Sequence, residues 1–208
     1  MPTDATHRPP RSSDADTPFE VVALASSAGG LNALTRVLSG LSEDFRAAIL
    51  AVQHLDRRHR SLMADILNKR SPVPVQEASN GDRIEHGRAY IAPPDHHLLV
   101  NGDGTLTLSH SDMVHFVRPS ADLLFESVAA TYGDRAIAVV LTGTGKDASM
   151  GVRAVKKMGG TVIAQDQTSS EFFGMPQAAI RTGCVDFVLP LEDIPPALVK
   201  LVTEGDEA

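Results

Sequence analysis

The segment Phe19–Leu31 constrains the fold more than any other part of the chain. A β-branched apolar strand runs straight into a turn of very small residues, and Leu31, Leu34, Val37 and Leu38 then fall on one face of a helix. Such a joint is the repeating unit of α/β domains. Within it, Ala25-x-Ser27-x-Gly29 has the small-x-Ser-x-small frame of a nucleophile elbow, with Ala in place of the usual first Gly. Small flanks let a tight turn lift a hydroxyl clear of the sheet, and the helix start offers unpaired N–H groups near Ala28 and Gly29 as an oxyanion site. The same turn also reads as a strand–helix joint whose serines merely cap the helix. Of the two adjacent serines only Ser27 has small residues two before and two after it; Ser26 has Leu24 and Ala28 there. Ser27 is therefore the candidate nucleophile.

Further along, strand-like and helix-like segments alternate. Ala47–Gln53 precedes a helix around Ser61–Lys69, and Ala136–Leu141 precedes one around Ala148–Met158. Thr161–Gln165 and Val185–Leu189 are shorter strands with a helix near Pro176–Thr182 between them, and a last helix covers about Leu191–Val202. Nearly all-apolar strands alternating with helices predict a single doubly wound α/β fold, a mostly parallel sheet with helices on both faces. The stretch 72–117 is different, being rich in Pro, Gly and His. Val73–Gln76, Arg88–Ala92, His97–Val100 and Thr105–Ser109 read as short strands, the last two joined at Asn101-Gly102-Asp103-Gly104. It is expected to be an antiparallel excursion, after which a helix from about Ser120 to Tyr132 returns to the main sheet.

At 208 residues the chain has room for one well-buried domain, expected over 18–202. Residues 1–17, with Pro2, Pro9 and Pro10 among polar residues, are expected to be a disordered tail, and 203–208 an acidic frayed end. A formal net charge of −7 argues against nucleic-acid binding through phosphate contacts. The single cysteine, Cys184, excludes a disulfide framework within one chain. No apolar run reaches the ~18 residues of a membrane span, and the N-terminus lacks a secretory core, so a cytoplasmic location is expected.

Open parallel sheets bind ligands beyond the carboxyl ends of their strands. Ser27 ends the first strand, His54 follows Ala47–Gln53, and Asp147 lies in the Gly-rich turn after Ala136–Leu141. A serine hydroxyl needs a base near neutral pH; imidazole suits that role, and a carboxylate fixes the imidazole and stabilises its cation. Each residue also has an ordinary reading: His54 is one of eight histidines, and Asp147 could simply sit at a helix N-terminus. Gly143-x-Gly145-Lys146 fails as a phosphate loop, because Val140 and Asp147 stand where Gly and Ser or Thr are needed. No histidine spacing selects a metal, so neither metal nor cofactor is expected.

The motifs Ala25-Ser26-Ser27-Ala28-Gly29-Gly30, Gln53-His54, Arg118-Pro119-Ser120, Leu141–Asp147, Gly174-Met175-Pro176 and Gly183-x-Val185-Asp186-x-Val188-Leu189 occur in this order. In these the chain, from about Glu20 to Val202, resembles the catalytic domain of the CheB family of chemotaxis protein-glutamate methylesterases. The resemblance implies a Ser-His-Asp triad at Ser27, His54 and Asp147. It also implies hydrolysis of glutamyl methyl esters on methylated cytoplasmic helices of chemoreceptors or related signalling proteins, often with deamidation of receptor glutamines. Arg57-Arg58-x-Arg60 beside His54 is a candidate contact for an acidic receptor helix, or a solvated helix start. Two positions depart from the family pattern: Ala25-Ser26 stands for Gly-Ala, and Ala148 for Gly. Family members often carry an N-terminal receiver domain; about 18 residues before the first strand leave no room for one here, so none is expected. Rival readings are a serine esterase of another substrate, and a catalytically silent CheB-like module that only binds protein.

Overall fold

The computed structural model describes residues 19–54 and 62–204. The tail over 1–17, the Arg57-Arg58-x-Arg60 cluster and the last four residues, 205–208, lie outside the described residues. Nine strands and six α-helices alternate along the described chain. Seven strands form one parallel sheet: β1 (Val21–Ser26), β2 (Ala48–Gln53), β3 (Val75–Glu77), β4 (Ala89–Ile91), β7 (Ala136–Val140), β8 (Thr161–Gln165) and β9 (Phe187–Leu189), in the spatial order β3-β4-β2-β1-β7-β8-β9. The other two, β5 (His97–Val100) and β6 (Leu106–Ser109), form a separate antiparallel hairpin.

The doubly wound reading holds, and the antiparallel excursion is real but shorter than expected. Of the four short strands in 72–117, the first two add parallel to the edge of the main sheet beside β2. Each is only three residues long, and Gln76 and Glu77 of β3 are not buried. Too few residues are enclosed on both faces to write the continuous apolar run that marks a parallel strand.

Every residue of β1, β2, β7 and β8 is buried, and alternate side chains feed two cores. Val22 and Leu24 of β1 point to the core shared with α1 (Gly30–Ser39), α2 (Met63–Asn68) and α6 (Ile194–Glu204), which supply Leu34, Leu38, Leu67 and Leu198. Val21, Ala23 and Ala25 face the opposite core, with Phe125 and Val128 from α3 (Ala121–Tyr132), Val152 from α4 (Ser149–Lys157), Met175 from α5 (Gly174–Ile180) and Leu98 and Leu106 from the hairpin. Each fully buried large apolar side chain contributes about 1.5–3 kcal/mol. Gly151 lets α4 pass close to α3, since a Cβ there would stand 2.5 Å from Cβ of Phe125. The chain runs from β1 outward through β2, then returns to the other side of β1 with β7. That reversal puts the crevice at the carboxyl ends of β2, β1 and β7, three neighbours in the sheet.

Candidate active site

His54, Ser27 and Asp147 follow the ends of those three central strands in turn. Ser26 pairs in register with Gln53, so the next residues out, Ser27 and His54, stand on adjacent strands about 5 Å apart along the backbone. Asp147 begins two strands away from His54. The six-residue loop 141–146 carries it back, and His54 Nε2 lies 2.8 Å from Asp147 Oδ2. Both side chains are largely enclosed, at 12% and 3% exposure.

Asp147 takes four hydrogen bonds. Oδ2 accepts from His54 and from the Ala121 amide (2.6 Å), and Oδ1 from Ser120 Oγ (2.9 Å) and the Asp122 amide (3.1 Å). The carboxylate therefore caps the N-terminus of α3, where exposed amides and the helix dipole favour negative charge. Burial alone would push its carboxyl up, but the bonds from His54 and the helix amides outweigh it and hold Asp147 below the usual carboxylate range. In return, Asp122 Oδ1 accepts the Met150 (2.9 Å) and Gly151 (2.8 Å) amides at the start of α4. The two helices thus exchange caps. Asp122 has its carboxyl pushed up, first by burial, with its backbone bonds opposing and Asp147's charge adding to the rise.

A second network fixes the serine turn. Gln53 Nε2 donates to the carbonyls of Ser27 (2.6 Å) and His54 (3.0 Å), while Gln53 Oε1 accepts from Ser26 Oγ (2.6 Å). Ser26 is thereby turned into the protein and fully buried; Ser27 stays partly exposed and lines a groove of about 480 Å3 with Gly30, Asn32 and Met63. The Ser27 amide donates to the Thr142 carbonyl (3.0 Å), and Thr142 Oγ1 donates to the Ala28 carbonyl (3.1 Å), tying the elbow to the β7 loop. Gly29 has φ +76°, the left-handed conformation that turns the strand into α1. The amides of Ala28 and Gly29 meet no acceptor among the described residues.

The structure therefore brings His54 and Asp147 into direct contact and sets Ser27 at the end of the strand next to that of His54. Among the described residues, no hydrogen bond joins Ser27 Oγ to His54 and none engages His54 Nδ1. Sequence reasoning assigned no role to Gln53, Ser120, Thr142 or His97. His97 is buried, its Nδ1 accepts the Ser120 amide (3.0 Å), and its Nε2 faces the Asp112 carbonyl at 3.1 Å. These bonds require the neutral Nε2–H tautomer, and burial pushes His97 below the ordinary imidazole value. The sequence signal for Gln53 was a polar residue closing an apolar strand next to the candidate base.

The CheB methylesterase family model matches residues 22–198. A protein-glutamate methylesterase/protein-glutamine glutaminase of Pyrococcus horikoshii is 44% identical over 184 residues, 87% of this chain and 50% of that protein. A putative one of Leptospira interrogans is 37% identical over 183 residues, 88% of this chain and 95% of its own length. The crystal structure of the Thermotoga maritima CheB methylesterase catalytic domain superposes with a TM-score of 0.85 at 38% identity, covering 88% of this chain and 99% of that one. The chain spans about half the length of the first curated relatives it matches. With the family model covering residues 22–198, relatives 37–44% identical and a fold match at a TM-score of 0.85, the chain belongs to the CheB methylesterase family.

Proposed function

We propose that residues 18–202 form a catalytic domain that hydrolyses the methyl ester of glutamate side chains on cytoplasmic segments of chemoreceptors, and deamidates glutamines at such sites, with Ser27, His54 and Asp147 as its triad. The observation that carries this reading is the enclosed His54–Asp147 pair at the strand ends flanking Ser27. Because Asp147 holds Nε2, the proton from Ser27 goes to His54 Nδ1. Ser27 Oγ then attacks the ester carbonyl, and the negative oxygen is received by the free Ala28 and Gly29 amides, worth a few kcal/mol per donor. The imidazolium, stabilised by Asp147, returns its proton to the leaving methanol, or to ammonia from a glutamine. Water repeats the sequence on the acyl-enzyme and releases glutamate.

A cytoplasmic setting fits this substrate, and no helix among the described residues is long and apolar enough to cross a membrane. The test is methanol release from a methylated chemoreceptor fragment. Wild-type chain should release it and Ser27→Ala should not; equal release by both would end the triad assignment, and no release by either would end the hydrolase reading.

A further inference from the structure

Between the β5–β6 hairpin and α3 the chain makes a second, very small hairpin. The Val117 amide donates to the Val114 carbonyl (2.9 Å) and the Val114 amide to the Val117 carbonyl (3.2 Å), so His115 and Phe116 alone form the turn. Both have left-handed backbone, φ 50° and 66°. Two-residue turns of that shape favour Asn and Gly, and a bulky aromatic there is strained. Phe116 is also 91% exposed, more than any other large apolar residue described. A strained backbone that presents an unpacked aromatic ring points to a role outside the free protein's own stability.

Its position says which role. His115, Phe116 and Val117 line a cleft of about 210 Å3 together with His54, Thr144 and Lys146. The base of the turn is held firmly: Arg118 donates from Nε and one terminal nitrogen to Asp95 Oδ1 (3.0 and 2.8 Å), and from the other to the Ser111 carbonyl (2.7 Å). His115 Nε2 lies 3.4 Å from Asp122 Oδ2, an oxygen with no hydrogen-bond partner. The tip is thus fixed beside the triad, yet almost none of Phe116 is covered by the walls of the cleft. A small ester lying against His54 would leave the ring bare. Only a ligand extending past the cleft covers it.

Resting on the hydrolase reading above, we infer that Phe116 is a specificity-determining residue that packs on an apolar side chain of the polypeptide carrying the ester, and so selects protein-borne esters over small free ones. Exposed Lys146 on the same cleft favours an acidic flank in that polypeptide.

The experiment uses the full chain with Phe116→Ser, Phe116→Tyr and Phe116→Gly, assayed on a methylated chemoreceptor fragment and on N-acetylglutamate γ-methyl ester. For Phe116→Ser, KM on the fragment should rise at least fivefold with kcat within twofold, while kcat/KM on the small ester stays within twofold. Phe116→Tyr should restore the fragment KM. Phe116→Gly should raise the thermal midpoint, because glycine accepts the left-handed turn, and still show the raised KM. An unchanged fragment KM, or equal losses on both esters, overturns the inference. If wild-type chain cleaves neither ester, the hydrolase reading itself falls, and this inference with it.

Discussion

Replacing Asp147 by Asn removes one charge and one acceptor from a site whose four partners all donate. The two sides of the carboxyl differ. At Oδ2 the new group faces the Ala121 amide at 2.6 Å and His54; at Oδ1 it faces Ser120 Oγ at 2.9 Å and the Asp122 amide at 3.1 Å. The NH2 group belongs on the Oδ1 side, because Ser120 Oγ can rotate to accept and the opposing amide is farther away. The carbonyl oxygen then keeps Ala121 and His54, so the imidazole retains its tautomer and loses only the charge beside it. Charge-assisted hydrogen bonds are roughly twice as strong as neutral ones, which contribute about 1 kcal/mol, so the loss in stabilising the imidazolium is about 1–1.5 kcal/mol, or some tenfold in kcat. Folding loses the satisfied Asp122 amide and the charge at the α3 terminus, together about 2–4 kcal/mol at pH 7. Asp147 lies below its unfolded value, so its contribution is fully present above the unfolded carboxyl pKa of about 3.9 and disappears as pH falls through the folded value. Urea unfolding of both proteins from pH 7 to pH 3 reads this directly: the gap should be constant to about pH 5 and close in acid. A gap that persists unchanged to pH 3, or turnover within a few-fold of wild type, refutes the argument.

Ser27→Ala should abolish ester hydrolysis, whereas Ser26→Ala, which removes the inward hydrogen bond to Gln53 and a long one to the Val52 carbonyl, should cost about 1 kcal/mol of stability and leave a sizeable fraction of activity; equal loss in two folded mutants would reverse the choice of serine. Gly29→Ala forces a side chain into a left-handed conformation and puts its Cβ 2.7 Å from Glu171 Oε2, so unfolding free energy should fall by about 1–2 kcal/mol and turnover at least tenfold, read by urea titration and methanol release. His97 is held below its unfolded value of about 6.5, so wild-type stability is full above that pH and declines below it; His97→Asn, which can still accept the Ser120 amide, should flatten the acid slope between pH 6.5 and 5 in urea titrations.

The joints that place the site were written locally, and were legible for that reason. β1, β2, β7 and β8 are enclosed on both faces, so their apolar runs carry their own boundaries to within a residue or so; Ser27 and His54 follow β1 and β2 directly, and Asp147 follows β7 after the loop 141–146. The edge strands β3 and β4 lack that enclosure, and their direction came out only with the structure. Flank size and the small residues that follow favour Ser27 over Ser26, and in the structure Ser26 is the one turned inward. The Gln53 clamp and the His97–Ser120 bond were not legible. They join side chains to amides and carbonyls 23 to 26 positions away, and residue type does not predict such pairings. Ala148 shows the same limit from the other side. It departs from the family's Gly, and its φ of 84° shows that the position demands a conformation Gly takes without strain.

The exchange of caps between α3 and α4 explains why the proposed site and the fold share residues here. Ser120 stands at the N-cap of α3 but makes no cap with its own side chain; its hydroxyl goes instead to Asp147, which does the capping from the α4 side. Asp122, inside the first turn of α3, does the reverse for α4. Two buried carboxyls so close repel, and the structure resolves this by unequal donation. Asp147 receives four hydrogen bonds, one of them from His54, and is held ionised; Asp122 receives two and keeps one oxygen bare toward His115. The carboxylate beside the imidazole is therefore the one whose charge the fold secures, and displacing it would uncap a helix as well as release the His54 ring. Orientation of His54 is in this way tied to the packing of α3 on α4, which Gly151 makes close enough for the exchange.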